Sequence, residues 1–221
     1  MDHQVTLLMS EFVTRDVKRF ILTRPEGFLF EPGQGVELAI DHPDWKDEAR
    51  PFTPTSLEDD QVLEFTIKGY PERAGVTKAL HDLRPGARLL MSEPFGTIRY
   101  QGKGTFIAGG AGVTPFIAIL RRLARDASLD GHGLLFSNKT PADVICEKEF
   151  RYLLGPRCVL TCTEETAPGY EGRLIDRDFL AERIDDFGQH FYVCGPPKFN
   201  DAVNQALKDL GAEPDLLVFE Q

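Results

Sequence analysis

The chain has 221 residues, a formal net charge of −10, and a composition that is 42% hydrophobic and 27% charged. This is the make-up of a soluble globular protein, long enough for one large domain or two small ones, and it leaves no ground for disorder. Residues 1–100 carry 12 basic and 17 acidic side chains and residues 101–221 carry 13 and 18, so neither part is a basic patch and no nucleic-acid partner is expected.

No apolar run reaches the length of a bilayer span. The start, Met1-Asp2-His3-Gln4, lacks a basic region followed by an apolar stretch, so no secretory signal is read and the cytoplasm is the expected compartment. The four cysteines, Cys146, Cys158, Cys162 and Cys194, contain no Cys-x-x-Cys and no iron–sulfur spacing, and the five histidines offer no zinc spacing. No metal is therefore expected, and any redox centre must be a bound organic cofactor.

In chain order, Val5 to Val13 and Val17 to Thr23 read as strands. Phe28-Leu29-Phe30 precedes a turn at Glu31-Pro32-Gly33-Gln34-Gly35, and Val36 to Ile40 alternates apolar and polar residues. An acidic loop from Asp41 to Ala49 holds the only tryptophan, Trp45. It ends in Arg50-Pro51-Phe52-Thr53-Pro54-Thr55-Ser56, which packs a cation, a flat aromatic and three hydroxyls into seven residues stiffened by two prolines. That inventory suits a ligand with a phosphate, a flat ring and a polar ring edge. Strands follow at Gln61 to Tyr70 and Arg88 to Ser92, so the first part predicts a small antiparallel β-barrel. Between them, apolar residues at 76, 79, 80 and 83 predict a helix over Gly75 to Leu83. Its start, Gly75-Val76-Thr77, offers backbone N–H groups and a hydroxyl to a phosphate.

From Gly104 strands and helices alternate, which predicts a parallel sheet with crossover helices. A strand at Gly104 to Ala108 runs into Gly109-Gly110-Ala111-Gly112-Val113-Thr114-Pro115 and a helix from Phe116 to Asp126 carrying Arg121, Arg122 and Arg125 near its end. Strand, glycine loop and helix are the context of a nucleotide site, although the string departs from Gly-x-Gly-x-x-Gly. The next strand, Gly133 to Ser137, ends in Ser137-Asn138-Lys139, where the adenosine ribose of a dinucleotide lies in such sheets; Lys139 permits NADPH. Thr140 and Asp143 read as a capped helix start with Pro141 at its first position. A strand from Arg157 to Thr163, a helix from Asp176 to Ile184, and a strand Phe191-Tyr192-Val193-Cys194 come next. Gly195-Pro196-Pro197, a helix from Lys198 to Leu210 and a last strand from Leu216 to Gln221 complete the chain. Thr114, Ser137 and Cys194 all fall on the edge where ligand loops gather.

Arg50-Pro51-Phe52-Thr53, Gly75-Val76-Thr77, Gly109 to Pro115 and Cys194-Gly195-Pro196-Pro197 occur in an order that resembles the ferredoxin–NADP reductase superfamily over nearly the whole chain. Pro32-Gly33-Gln34 and Pro94-Phe95-Gly96 fit the same pattern. The resemblance implies a flavin-binding barrel over residues 1–99 and an NAD(P)H-binding α/β domain over residues 100–221. Arg50 would pair with the flavin phosphate, Phe52 would lie against the ring, Thr53 would hydrogen-bond near its N5, and Pro51 is counted with them among the cofactor-binding residues. Ile67 and Lys68 would line the ribityl and phosphate side, and Gly75, Val76 and Thr77 would take the pyrophosphate. Gly109, Gly110, Gly112, Val113 and Thr114 would hold the nicotinamide nucleotide. Ser137, Asn138 and Lys139 would lie at its adenosine end. Cys194, Gly195 and Pro196 would set the nicotinamide beside the flavin, and Glu220 matches the family's terminal carboxylate. Thr53, Cys194 and Glu220 are the expected catalytic set. Only Gln221 follows Glu220, so the family's terminal aromatic is missing.

Two phosphate-competent elements on one barrel favour FAD over FMN, with NADPH or NADH as co-substrate. The expected activity is hydride transfer to the flavin and electron delivery to an external acceptor such as ferredoxin, flavodoxin or a free flavin. The alternative is a non-catalytic flavin-binding subunit of an electron-transfer complex. A monomer is the working expectation, with the oligomeric state left open.

Overall fold

The computed structural model describes residues 1–70, 72, 75–96 and 98–219. In the first half, period-two alternation builds a six-stranded antiparallel sheet. Its strands are β1 (His3–Phe12), β2 (Val17–Thr23), β3 (Val36–Ile40), β4 (Arg50–Phe52), β5 (Val62–Lys68) and β6 (Arg88–Met91), in the order β4-β3-β6-β1-β2-β5. Leu7, Phe20, Leu22, Val36, Leu38, Leu63 and Phe65 point into one apolar core.

The Arg50 stretch forms more than a loop end. Pro51 lacks an N–H, so its strand stands at an end of the ladder rather than in its middle. Just beyond β4, Pro54 bridges Phe65 and the Thr55 N–H donates to the Glu64 carbonyl at 2.7 Å. The first strand in the order thereby meets the last, and the sheet nearly closes into a barrel. Helix α1 (Val76–Asp82) plugs one end with Val76 and Leu80, both buried. His81 on that helix donates from Nε2 to the Ile67 carbonyl at 2.9 Å.

The second half is a parallel sheet of β7 (Gly104–Gly109), β8 (Gly133–Asn138), β9 (Cys158–Cys162), β10 (His190–Cys194) and β11 (Leu217–Phe219), in the order β11-β10-β7-β8-β9. Alternation sends Phe106 and Ala108 of β7 to one face, and Ile107 to the other. Helices α2 (Thr114–Arg125) and α3 (Glu147–Leu154) cover the first face through Phe116, Leu120 and Phe150. Helices α4 (Arg177–Arg183) and α5 (Pro197–Asp209) cover the second through Phe179, Val203 and Leu207. Each fully buried ring contributes about 1.5–3 kcal/mol. The chain runs from β7 outward through β8 to β9, then crosses to β10 on the other side of β7. The direction in which successive strands are added therefore reverses between β7 and β10, while the strands themselves stay parallel, and the crevice at their carboxyl ends is where such sheets bind ligands.

One expected helix differs. Thr140 to Asp143 makes a single tight turn (Pro141–Asp143), and α3 begins only at Glu147. Val144 and Ile145 dive into the core, and Cys146 takes a left-handed backbone (φ 53°) before the helix can start. Among the described residues, no helix is long and apolar enough to cross a membrane.

Candidate active site

A cleft of about 860 Å³ lies between the barrel and the carboxyl edge of the parallel sheet. The barrel contributes Pro51, Phe52, Thr53 and, from β5, Thr66 and Lys68. Thr53 is 8% exposed. Lys68 is held by Asp16 at 2.9 Å, and the Thr66 hydroxyl sits 3.3 Å from that of Thr55. The volume is that of a site for a drug-sized or nucleotide-sized ligand.

The sheet contributes the turns after β7 and β10. These two turns touch through glycine. A Cβ on Gly112 would stand 2.3 Å from the Cys194 carbonyl oxygen, and one on Gly195 would stand 2.6 Å from Phe199. Gly110 has φ +55°, a left-handed conformation that glycine adopts without strain, and a Cβ there would meet nothing. Backbone is thus exposed to the cleft at Gly110, with room for a phosphate to approach. Gly109, Gly110, Gly112, Thr114, Cys194, Gly195 and Pro196 all line the cleft. Cys194 is 3% exposed, and none of the four cysteines is in a disulfide.

At the far end, Ser137 and Asn138, the last residues of β8, and Lys139 just after it line the same cleft. Asn138 is only 6% exposed, and neither its Nδ2 nor its Oδ1 has a partner within the protein. Burying an amide with nothing to bond is costly, so this side chain calls for a polar ligand. Lys139 pairs with Glu164 at 2.8 Å, and that hydrogen bond raises its pKa. Asp143 accepts from the Thr140 N–H and hydroxyl at 3.0 and 2.8 Å, and Arg15, from the turn between β1 and β2, reaches it at 2.9 Å.

Other expected contacts do not converge here. Arg50 turns away from the cleft, donating to Glu48 at 2.9 Å and to the Ala49 carbonyl at 2.7 Å. Ile67 points into the barrel core, 2% exposed, because β5 alternates: Leu63, Phe65 and Ile67 face inward while Thr66 and Lys68 face the cleft. Val76 and Val113 are also core residues, open to a ligand only through their backbones. Gly75 lines a separate cavity of about 470 Å³ with Trp45 and Lys78, and Thr77 is half-buried beside it in sequence. Glu220 lies outside the described residues. Thr66, Tyr70, Asp143 and Leu174 line the cleft without having been expected. For Thr66 the signal was present, since an alternating strand that presents Lys68 must present Thr66 with it. Leu174 comes from a polar loop with no periodicity to read.

The donors fit a flavin and a nicotinamide dinucleotide: a hydroxyl and an aromatic from the barrel, an open glycine backbone, and an orphaned buried amide. Comparison with known proteins agrees. An oxidoreductase FAD-binding domain profile matches residues 4–100, and an oxidoreductase NAD-binding domain profile matches residues 106–205. The chain is 26% identical over 223 residues to the ferredoxin–NAD(P)(+) reductase component of the naphthalene 1,2-dioxygenase system of Pseudomonas putida, covering 95% of this chain and 66% of that protein. It is 28% identical over 208 residues to NADH-cytochrome b5 reductase 2 of Rattus norvegicus, covering 76% of this chain and 75% of that one. In fold it resembles a ferredoxin NADP+ reductase from Neisseria gonorrhoeae with bound FAD and NADP, at a TM-score of 0.83 and 22% identity, covering 95% of this chain and 91% of that one.

Proposed function

We infer, from a chain that belongs to the ferredoxin reductase and cytochrome b5 reductase family and carries its FAD-binding and NAD-binding domains, that this protein is an NAD(P)H oxidoreductase serving an electron acceptor outside these 221 residues. The observation that carries the reading is the convergence of Pro51 to Thr53, from the barrel, with the β7 and β10 turns, from the sheet, on one cleft. FAD, when bound, would supply the redox chemistry of taking a hydride from a nicotinamide and passing the electrons onward.

The chain's own residues position and shield. Phe52 would lie against the flavin ring, and the Thr53 hydroxyl would be free to donate a hydrogen bond at the ring edge near N5. Lys68 and Arg50 balance the phosphates, Arg50 by exchanging the Glu48 carboxylate for a phosphate oxygen. Gly75 and Thr77 remain the proposed pyrophosphate contacts, with Val76 through its N–H alone. The Gly109 to Thr114 turn takes the dinucleotide phosphates, and Asn138 finds its missing partners at the adenosine end. Cys194 and Gly195 hold the nicotinamide against the flavin. We place the boundary between the two domains at residues 99 and 100.

The 221 residues contain no iron–sulfur spacing, which supports an external acceptor such as ferredoxin, flavodoxin or free flavin. Steady-state turnover with NADH or NADPH, offered ferredoxin, flavodoxin, cytochrome b5 and free flavin in turn, tests this. Rapid reduction of at least one is expected; reduction of none, with a dye also refused, contradicts an enzymatic role.

A further inference from the structure

Hydride transfer needs the reacting atoms about 3–3.5 Å apart, and a displacement of about 1 Å can cost about 100-fold in rate. The donor's site belongs mainly to the parallel sheet and the acceptor's to the barrel, so the contacts joining the two halves set that distance. Among the described residues, the least exposed arginine joining the two halves is Arg121. It lies on α2, seven residues and about 10 Å along the axis beyond Thr114, which lines the cleft. Its guanidinium forks. Nε and Nη2 donate to the two Glu149 oxygens on α3, at 2.6 and 2.9 Å. Nη1 crosses to the barrel, donating to the Thr55 carbonyl and to Glu64 Oε1, both at 2.7 Å.

Those acceptors sit on the segment that closes the barrel. Thr55 is two residues from Thr53. Its hydroxyl also donates to Glu64 at 2.8 Å, and the Ser56 hydroxyl accepts the Glu64 N–H at 3.0 Å. The Arg121 side chain is only 24% exposed. Burial opposes its charge, but Glu149 and Glu64 outweigh burial and raise its pKa. A planar, bidentate fork of this kind fixes angle as well as distance, which lysine cannot do. Arg122 and Arg125 reach Glu58 and Asp59 of the barrel from the same helix, but in more exposed pairs that solvent and salt weaken.

We propose that Arg121 is a positioning residue for hydride transfer, tying the Thr53–Ser56 segment beside the flavin to the helix that starts at the nicotinamide site. This rests on the functional reading above. Arg121→Ala and Arg121→Lys, with Arg125→Ala as the comparison, are measured in four ways. These are flavin content, affinity for a non-reducing nicotinamide analogue, limiting rate of anaerobic flavin reduction, and amide exchange at Thr55 in the flavin-free protein.

The expected result is a limiting rate reduced about tenfold or more in Arg121→Ala, with flavin content and analogue affinity nearly unchanged, and faster exchange at Thr55. Arg121→Lys recovers part of the rate, and Arg125→Ala stays near the unmodified protein. If Arg121→Ala does not fold, Arg121→Lys decides, with a slowed limiting rate at unchanged affinity expected. A wild-type limiting rate in every folded Arg121 variant, or a loss confined to flavin content or analogue affinity, overturns the proposal. Failure of either nicotinamide to reduce the flavin of the unmodified protein overturns the functional reading and the proposal together, a result distinct from a defect confined to the variants.

Discussion

The two halves of the molecule present their ligand-binding residues in different ways. In the parallel sheet, the expected residues at the ends of β7, β8 and β10 nearly all meet in one cleft. In the barrel they scatter: Pro51 to Thr53 reach the cleft, Arg50 turns to Glu48, Ile67 enters the core, and Gly75 lines another cavity. The cause is geometric. A parallel sheet puts every strand's carboxyl end on one edge, so sequence order alone locates the site. A closed antiparallel barrel alternates each residue between inside and outside, so a shift of one position moves a side chain from cleft to core.

The sharpest way to break this contrast is Gly112→Ala. Its new Cβ would meet backbone, the Cys194 carbonyl at 2.3 Å and the Gly195 Cα at 2.7 Å, so the two turns must separate. We expect a stability loss of about 1–3 kcal/mol, together with a large loss of nicotinamide affinity, read by denaturant melts and analogue titration. Unchanged affinity would mean that the two turns do not jointly form the nucleotide site.

Thr53→Ala tests the barrel's side. Losing one hydrogen bond should slow flavin reduction about tenfold while altering flavin affinity less, as stopped-flow and flavin titration will show. Equal rates in mutant and unmodified protein would remove Thr53 from the chemistry.

Glu164→Gln comes next in size. It frees Lys139 from its 2.8 Å ion pair. The preference for NADPH over NADH, measured as a ratio of kcat/KM values, should rise about twofold to fivefold, the worth of one exposed ion pair. An unchanged ratio would place Lys139 in solvent rather than beside the ribose.

The smallest effect is on pH dependence, and it occurs in both halves. Burial lowers the pKa of His81, in the barrel, and of His132, in the sheet, below 6.5. The unfolded chain then binds protons more readily than the folded one, so stability is full above pH 6.5 and falls as the pH drops below it. Thermal melts from neutrality downward should show this decline. His132→Gln, which can still meet Tyr100, should flatten the part contributed by the sheet; an unaltered slope would assign that part elsewhere.

Most of the fold was legible in the sequence, because alternation marks strands and because β7 and β10 of the second half run into glycine turns that open helices. β2 and β3 fall on the expected residues. What was not legible depends on contacts between distant segments. Barrel closure at Pro54 and Phe65 is one case, and the delay of α3 to Glu147 is another, since it follows from burying Val144 and Ile145. The three arginines at the end of α2 were visible as residues, but their partners Glu64, Glu149 and Glu58 lie 28 to 67 positions away and only the folded chain brings them together.

The central claim is that the cleft brings a flavin held by the barrel against a nicotinamide held by the sheet. Anaerobic titration of the FAD-loaded protein with NADH and with NADPH, followed by visible absorption, tests it most directly. The account predicts that at least one nicotinamide bleaches the flavin band in proportion to the amount added. A protein that takes up FAD but keeps an unchanged spectrum with both, or one that stays colourless when mixed with FAD, would contradict it.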